Sequence, residues 1–333
     1  MMPQTAIGWS RWTPLPGPPL GPDVFREILD GGQAFRWRQE TDGVWLGVFG
    51  AHVARLALDA AGALYYSAPG QLQSTIEAAI IQYLGLGDDL AKTVDSLPWR
   101  SDAHLARCLA AFPGLRILRQ PFGETLLGFL CSATKQIVQI KQMVALLATR
   151  HGASLLNPSS DPLAPDLPAA SAHRLPTWAE IAVVPESELR ACLLGFRARY
   201  IHQTAQFIAA NPGWLETTET LPYAAAKERL CTLPGVGEKV ADCVLLFGAG
   251  KLEAFPVDVW IIKAMAKRYG LNGWKPAQIA HFGRTHFGPL AGLAQQYLFA
   301  YERKFPGYSV SLGRRNTAGC QPFSLRSTRH GKK

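Results

Sequence analysis

The sequence predicts an α+β fold, with an N-terminal antiparallel β-sheet domain packed on a mainly α-helical body. Three observations carry that expectation. Between Gln33 and Ser67, alternating runs (FRWRQ, GVWLGVF, HVARLAL and ALYYSA) are separated by Gly and Asp turns, the pattern of consecutive antiparallel strands. From Pro121 onward helical patterns dominate. Within that body the stretch Leu230 to Tyr269 reads as helix, tight hairpin, helix, loop, helix, and the other elements are arranged to serve it.

Taken in order, residues 1 to 22 are rich in Pro and Gly and are expected to drape over the surface, followed by a short helix over Asp23 to Leu29. The sheet ends near Ser67. Helices are expected over Gln71 to Leu84, Asp102 to Phe112, Glu124 to Ala133, Ile137 to His151, Trp178 to Val183, Ser187 to Leu194, Ile201 to Ala210, Tyr223 to Cys231 and Pro276 to Lys304. Asn157 to Pro176 holds five prolines and little to bury, so it is expected to cross the surface as a loop. The tail from Ser309 carries Arg314, Arg315, Arg326, Arg329, Lys332 and Lys333 with few apolar residues. It is expected to be disordered, and its charge suits non-specific DNA, nuclear import or plain solvation. No internal repeat is present.

At 333 residues the chain can form one large domain or two to three modest ones, each with its own core. The formal net charge of +9 favours a polyanionic partner. Six cysteines (Cys108, Cys131, Cys192, Cys231, Cys243 and Cys320) lie far apart, without the close pairs that zinc or an iron–sulfur cluster needs. They read as reduced, mostly buried thiols. Neither a basic-then-apolar leader nor an uninterrupted apolar run of ~20 residues is found. A soluble intracellular protein is expected, in the nucleoid or cytoplasm of a bacterial host or the nucleus of a eukaryotic one, with no membrane partner and acting as a monomer.

The chemistry points to the hairpin. At Leu233-Pro234-Gly235-Val236-Gly237 a helix breaks and a new one starts at once, since Pro fixes one φ and the glycines permit conformations closed to other residues. Such a turn aims unpaired helix-start N–H groups outward, and these suit a phosphate oxygen. Lys239 sits in the first turn of the new helix, and 19 residues later Asp258 opens the next. Alone, the lysine is a solvated charge and the aspartate an N-cap. Together, a hairpin, a lysine two residues after its last glycine and the run Pro256-Val257-Asp258 form the signature of the helix-hairpin-helix, Gly/Pro-Asp glycosylases. The stretch resembles it throughout. Within that superfamily the chain is similar to the 8-oxoguanine DNA glycosylases of the eukaryotic type, from about Trp9 to about Arg303.

The resemblance implies a bifunctional DNA glycosylase and abasic-site lyase that flips a damaged purine out of duplex DNA in base excision repair. Lys239 then attacks the anomeric carbon and forms an imine. That step needs the neutral amine, which at the reference lysine pKa of about 10.4 is roughly one in a thousand near neutrality. Burial and a helix start favour a neutral amine, whereas a carboxylate opposes it. Asp258 therefore has a different role, which in the resembled family is to stabilise the oxocarbenium-like sugar and assist proton transfers. Cys243, one helical turn after Lys239, reads alone as a core cysteine. The family places it against one face of the extruded base, with Phe299 against the other and Gln295 on the Watson–Crick edge. In the run Gly31-Gly32-Gln33-Ala34-Phe35-Arg36-Trp37, otherwise a turn into a strand, the Gly32 carbonyl would accept the N7–H that 8-oxoguanine has and guanine lacks.

Phe196-Arg197-Ala198-Arg199-Tyr200 matches the family's wedge, so Phe196 would fill the gap left by the flipped nucleotide and Arg197 would donate to the base left behind. Two family contacts to that base, an asparagine and an arginine, are here Thr134 and Gln139. That predicts a relaxed preference for the opposite base. Trp260 stands where the family has a histidine. Backbone N–H groups near Gly235, Gly237 and Val240 would bind a phosphate, and the carbonyls of Cys231, Leu233 and Val236 could hold a structural monovalent or divalent cation, with no cofactor required. The implied domains are an α/β domain over 7–116, a helix-hairpin-helix glycosylase domain over 117–306 and the basic tail over 307–333. Two other readings stand beside this one: a monofunctional alkylpurine glycosylase on the same scaffold, which would not need Lys239, and a non-enzymatic helix-hairpin-helix DNA-binding protein.

Overall fold

The computed structural model describes residues 2–41, 43–156 and 166–306. The expectations for the tail, and for residues 157–165 of the proline-rich loop, lie outside the described residues. The sheet has five antiparallel strands, β1 (Thr13–Pro14), β2 (Trp37–Thr41), β3 (Val44–Phe49), β4 (His52–Leu58) and β5 (Leu64–Ser67), in the order β1-β5-β4-β3-β2. The first segment is thus more than drapery. Thr13 pairs with Tyr66, and Trp9, Leu15 and Leu20 are buried, because apolar side chains spaced among prolines can be buried while Pro itself is tolerated on a short edge strand.

Both faces of β3 are covered. Trp45 and Phe49 join the main core, whereas Leu46 and Val48 pack with Val53 and Trp9 in a small second cluster. Trp37 lies across Gly47, where any Cβ would collide with the indole, and its Nε1 donates to the Tyr83 hydroxyl at 3.0 Å. Leading into the sheet is α1 (Pro22–Asp30). After it come α2 (Gln73–Leu84), the unforeseen α3 (Leu90–Asp95) and α4 (Ala103–Ala111), which Asp102 caps.

The helical body begins with α5 (Phe122–Leu130), which starts and ends earlier than expected. Its exit is the turn 131–134, where Thr134 takes φ +56°. Next come α6 (Ile137–His151), α7 (Ala169–Ala172) inside the stretch expected to be loop, α8 (Trp178–Ala182) and α9 (Glu186–Leu189). The last runs into a π turn at Arg190–Leu194, with Leu193 at φ +63°. The expected start of α10 at Ile201 is corrected to Arg197, so Arg197–Ala210 is helical and the FRARY run forms its entry. Then follow the unforeseen α11 (Trp214–Thr220), α12 (Tyr223–Cys231), α13 (Glu238–Phe247) and α14 (Val259–Tyr269).

The long helix expected over Pro276 to Lys304 is two, α15 (Pro276–Phe287) and α16 (Ala291–Lys304), parted by a tight turn at Gly288–Leu290. Pro289 cannot donate to the preceding turn, and Gly288 takes φ +67°. Nearly all of α5 and α13 is buried where they pack together, and one contiguous core runs from Leu15 to Tyr301. No helix among the described residues is long and apolar enough to cross a membrane.

Candidate active site

Lys239 projects from the first turn of α13, whose N-cap is Gly237. The first intrahelical bond runs from Ala241 N to the Gly237 carbonyl, so the N–H groups of Glu238, Lys239 and Val240 have no partner within the helix. The Lys239 amine lies 3.5 Å from Ser132 Oγ and 5.4 Å from the Phe129 ring centroid, half-buried between α5 and α13. Its other neighbour is Cys243, whose thiol is pushed up to about 11 by burial, the nearby amine opposing that rise.

Asp258 caps α14. Its Oδ1 accepts from Trp260 N at 3.0 Å and Ile261 N at 2.9 Å, and an ionised carboxylate keeps acceptor capacity beyond those two bonds. Burial raises its pKa, opposed by the Ile261 N–H, Lys239, the Trp260 N–H and Arg303. A carboxylate part-way out of water beside an amine suits the stabilisation of a nearby sugar cation.

Lys239 and Asp258 line one cavity of about 60 Å³ together with Gly32, Cys243, Gln295 and Phe299. Phe129, Phe247, Pro256 and Gln296 complete the wall. The sequence-predicted pocket residues, from three distant segments, therefore converge. Gln295 is 4 % exposed; its Nε2 donates to the Pro256 carbonyl at 3.1 Å, while its Oε1 is buried without a partner. The Gln296 Nε2 is likewise buried and unpaired. Amide groups left unbonded within the protein can pair with water or with a polar ligand. The cavity adjoins a cleft of about 660 Å³ lined by Ser132, Lys135, Ile137, Trp260 and Arg303, and Lys263 Nζ stands 5.2 Å from the Trp260 ring. Clefts of about 380 and 430 Å³ elsewhere contain neither Lys239 nor Asp258.

At the entry to α10, Phe196 and Leu193 are each 52 % exposed, an unusual pair of bare apolar side chains. Arg197 is buried, and donates to the carbonyls of Leu194 and Ala133 and to Thr134 Oγ1. It thus ties the start of α10 to the 131–134 turn, and to reach a base it would have to exchange those bonds. Gln139 is exposed and closes a capping box, its side chain accepting from Gln136 N at 3.2 Å.

In the hairpin Gly235 takes φ +79° beneath Tyr200, whose Cδ2 would be 2.9 Å from any added Cβ, whereas a Cβ on Gly237 would meet nothing within 4 Å. The Leu233 carbonyl accepts from Val236 N at 3.1 Å. Sequence reasoning missed Phe129, Ser132, Gln296 and Arg303. Ser132 lies two residues before Thr134, while the other three have no local signal beyond adjacency or helical spacing to residues already singled out.

Residues 24–126 match the N-terminal domain of 8-oxoguanine DNA glycosylase, and residues 128–284 match the HhH-GPD superfamily of base excision DNA repair proteins. The chain is 31 % identical over 287 residues to an N-glycosylase/DNA lyase of Arabidopsis thaliana, covering 81 % of this chain and 75 % of that protein. It is 39 % identical over 118 residues to a probable N-glycosylase/DNA lyase of Methanothermobacter thermautotrophicus, covering 35 % and 38 %. Among solved structures it is similar to the Clostridium acetobutylicum 8-oxoguanine glycosylase/lyase in complex with double-stranded DNA containing cytosine opposite 8-oxoguanine. That match has a TM-score of 0.75 at 30 % identity and covers 84 % of this chain and 91 % of that one.

Proposed function

This chain belongs to the 8-oxoguanine DNA glycosylase family of the helix-hairpin-helix superfamily, and from that membership we propose that it excises 8-oxoguanine from duplex DNA as a bifunctional glycosylase and abasic-site lyase. The observation that carries the reading is the convergence of Lys239, Asp258, Gly32, Cys243, Gln295 and Phe299 on one cavity beside an open cleft. In the proposed route the flipped nucleotide places its base in that cavity. The neutral Lys239 amine attacks C1′ as the glycosidic bond breaks, and the bonding pair leaves with the base, which takes up a proton. Asp258, ionised, offsets the positive charge that develops on the sugar. Ring opening gives an imine, and loss of a C2′ proton expels the 3′ phosphate, nicking the strand.

The remaining site residues serve binding in this reading. Gly32 accepts the lesion's N7–H, Gln295 reads the Watson–Crick edge, and Cys243 and Phe299 contact the faces of the base. Phe196 enters the vacated stack, while Arg197, Thr134 and Gln139 lie nearest the orphan base. The helix-start N–H groups around Gly237 and Val240 take a backbone phosphate. The carbonyls of Cys231, Leu233 and Val236 fit a cation that would hold the hairpin's shape, since the Leu233 oxygen, with one turn bond, keeps a second lone pair. In this reading the protein works on cellular DNA, in the nucleoid or cytoplasm of a bacterial host or the nucleus of a eukaryotic one.

Borohydride reduction tests the imine. Wild type incubated with a duplex carrying one 8-oxoguanine should give a trapped covalent complex. Lys239→Gln should give none, with both base release and nicking lost and duplex binding nearly intact. Trapping by the variant would assign the nucleophile to another amine. Base release by wild type with no trapping would favour a monofunctional enzyme.

A further inference from the structure

The two sides of the cavity come from opposite ends of the chain, Gly32 from the turn after α1 and Gln295 and Phe299 from α16. One side chain joins them. Arg303, four residues after Phe299 on α16, donates from Nη1 to the Gly31 carbonyl at 2.5 Å and to Glu27 Oε1 at 3.1 Å. Its Cζ stands 5.1 Å from the Phe299 ring centroid, within cation–π range. Gly31 has no room for a side chain, because a Cβ would collide with the Glu27 carbonyl oxygen, and Gly32 takes φ +105°. Beyond Gly32 the chain is pinned again. Gln33, 1 % exposed, donates to the Arg116 carbonyl and accepts from Leu118 N, both at 3.0 Å, while its own carbonyl accepts from Gln120 Nε2 at 2.6 Å.

We infer that Arg303 is a positioning residue for lesion recognition, latching the Gly31-Gly32 turn to α16 so that the Gly32 carbonyl and the Phe299 ring stand in fixed register around the base. This rests on the proposed reading of 8-oxoguanine through Gly32. The physical argument is that one N–H···O bond separates the lesion from guanine, and such a bond weakens steeply as its geometry degrades. The Gln33 network holds the chain after the turn, and Lys141 ties Asp30 before it to α6 at 2.7 Å; Arg303 supplies the tie from the helix that carries the base-contacting residues. A carbonyl free to shift by about an ångström would lose much of its discrimination.

Nicking of a preformed abasic site uses Lys239 and Asp258 but has no base to recognise, so it separates positioning from chemistry. In single-turnover assays compared on the alkaline plateau of each protein's pH profile, where losing the Arg303 charge near Asp258 no longer alters that carboxylate's ionisation, Arg303→Met should lower 8-oxoguanine release about tenfold while changing abasic-site nicking by no more than about twofold. Arg303→Lys, which keeps the charge and donors on a shorter reach, should recover part of the loss. Release and nicking falling together, release left unchanged, or a lysine variant no better than methionine would each overturn the latch. Should Arg303→Met not fold, the lysine variant carries the same comparison, a selective fall in release supporting the inference and an equal fall, or none, overturning it. Wild type that nicks abasic sites yet releases no 8-oxoguanine would refute the proposed function itself.

Discussion

Asp258 caps α14 and in the proposed route also steadies the sugar cation, two duties that one substitution can separate. Asparagine caps a helix about as well as aspartate, so Asp258→Asn should keep α14 and remove only the charge. We expect a folded protein slowed roughly a hundredfold or more in base release. Melting far below wild type with normal turnover once folded would show that the residue is structural. The raised pKa adds a pH signature. Base release needs the carboxylate, so its acidic limb should lie above the ordinary aspartate range, and Asp258→Asn should lack that limb. For stability the sign is opposite: the folded state holds the proton more tightly than the unfolded chain, so this contribution is present at low pH and is lost as pH rises through the raised value. Asparagine removes that loss, and at neutral pH the variant should melt no lower than wild type.

Thr134 is the second residue where identity decides behaviour. A β-branched side chain at φ +56° is strained, whereas asparagine tolerates the left-handed region. Thr134→Asn should therefore raise the melting temperature slightly and, in the proposed complex, restore a longer polar group beside the orphan base. With Thr134 short and Gln139 engaged in a helix cap, wild type should excise opposite cytosine only modestly faster than opposite thymine or guanine. Base contacts are worth about 1–3 kcal/mol each, so Thr134→Asn should sharpen that preference by roughly tenfold. A strong cytosine preference already present in wild type would contradict this, and would assign the reading to Arg197 after release of its internal bonds.

At the scale of the element, the hairpin between α12 and α13 separates shape from binding. Gly235 is required by the fold, because φ +79° and the Tyr200 ring both exclude a side chain. Gly237 is not, since its φ of −94° suits any residue and its missing Cβ faces open space. Gly237→Val should therefore fold with a near-normal melting temperature while obstructing the N–H groups proposed to bind a DNA phosphate. Its affinity should fall by about tenfold for lesion-bearing and undamaged duplexes alike, since a phosphate contact carries no sequence information. A loss confined to lesion duplexes would place Gly237 in the base pocket. The periodicity of α13 and α14 made these helices, their caps and Lys239 legible in the sequence, because each signal lies within a few residues of the structure it forms. The bent entry to α10 was not legible, as its π turn and the positive φ at Leu193 run against the helical pattern of the local sequence.

Across the whole molecule, a buried polar cluster joins α4 to the helices that carry Asp258 and Gln295. Asp102 Oδ2 accepts from the Tyr269 hydroxyl at 2.9 Å and stands 3.0 Å from His286 Nε2, while Glu302 accepts from Arg268 Nε at 2.9 Å. His104 lies among them, its pKa brought down to about 4 by burial and then by Arg268, Arg107 and Lys267, with Asp102 opposing. Its folded value lies below its ordinary 6.5, so the unfolded chain binds the extra proton first. This contribution is full above the ordinary value and is lost as pH falls through about 4. Chemical unfolding at several pH values should show a smaller loss of stability over that window in His104→Gln than in wild type. Equal slopes would mean that other groups dominate.

By itself the sequence determined what is local: four of the five strands, most helices, the hairpin, the Asp258 cap, and by resemblance the residues around the base. Turn chemistry, capping and apolar period act over a few residues, so they can be read without the fold. Only the tertiary structure decided what depends on groups far apart in the chain. It recruited Thr13–Pro14 as an edge strand against Tyr66, turned Arg197 inward onto the 131–134 turn, and left Gln295 and Gln296 buried with unpaired amide atoms on one wall. Arg303 shows the reason most clearly: 272 residues separate it from the carbonyl it holds. Only burial of a shared core brings α1 and α16 close enough for that bond, and hydrophobic burial fixes distance without naming which polar groups will meet.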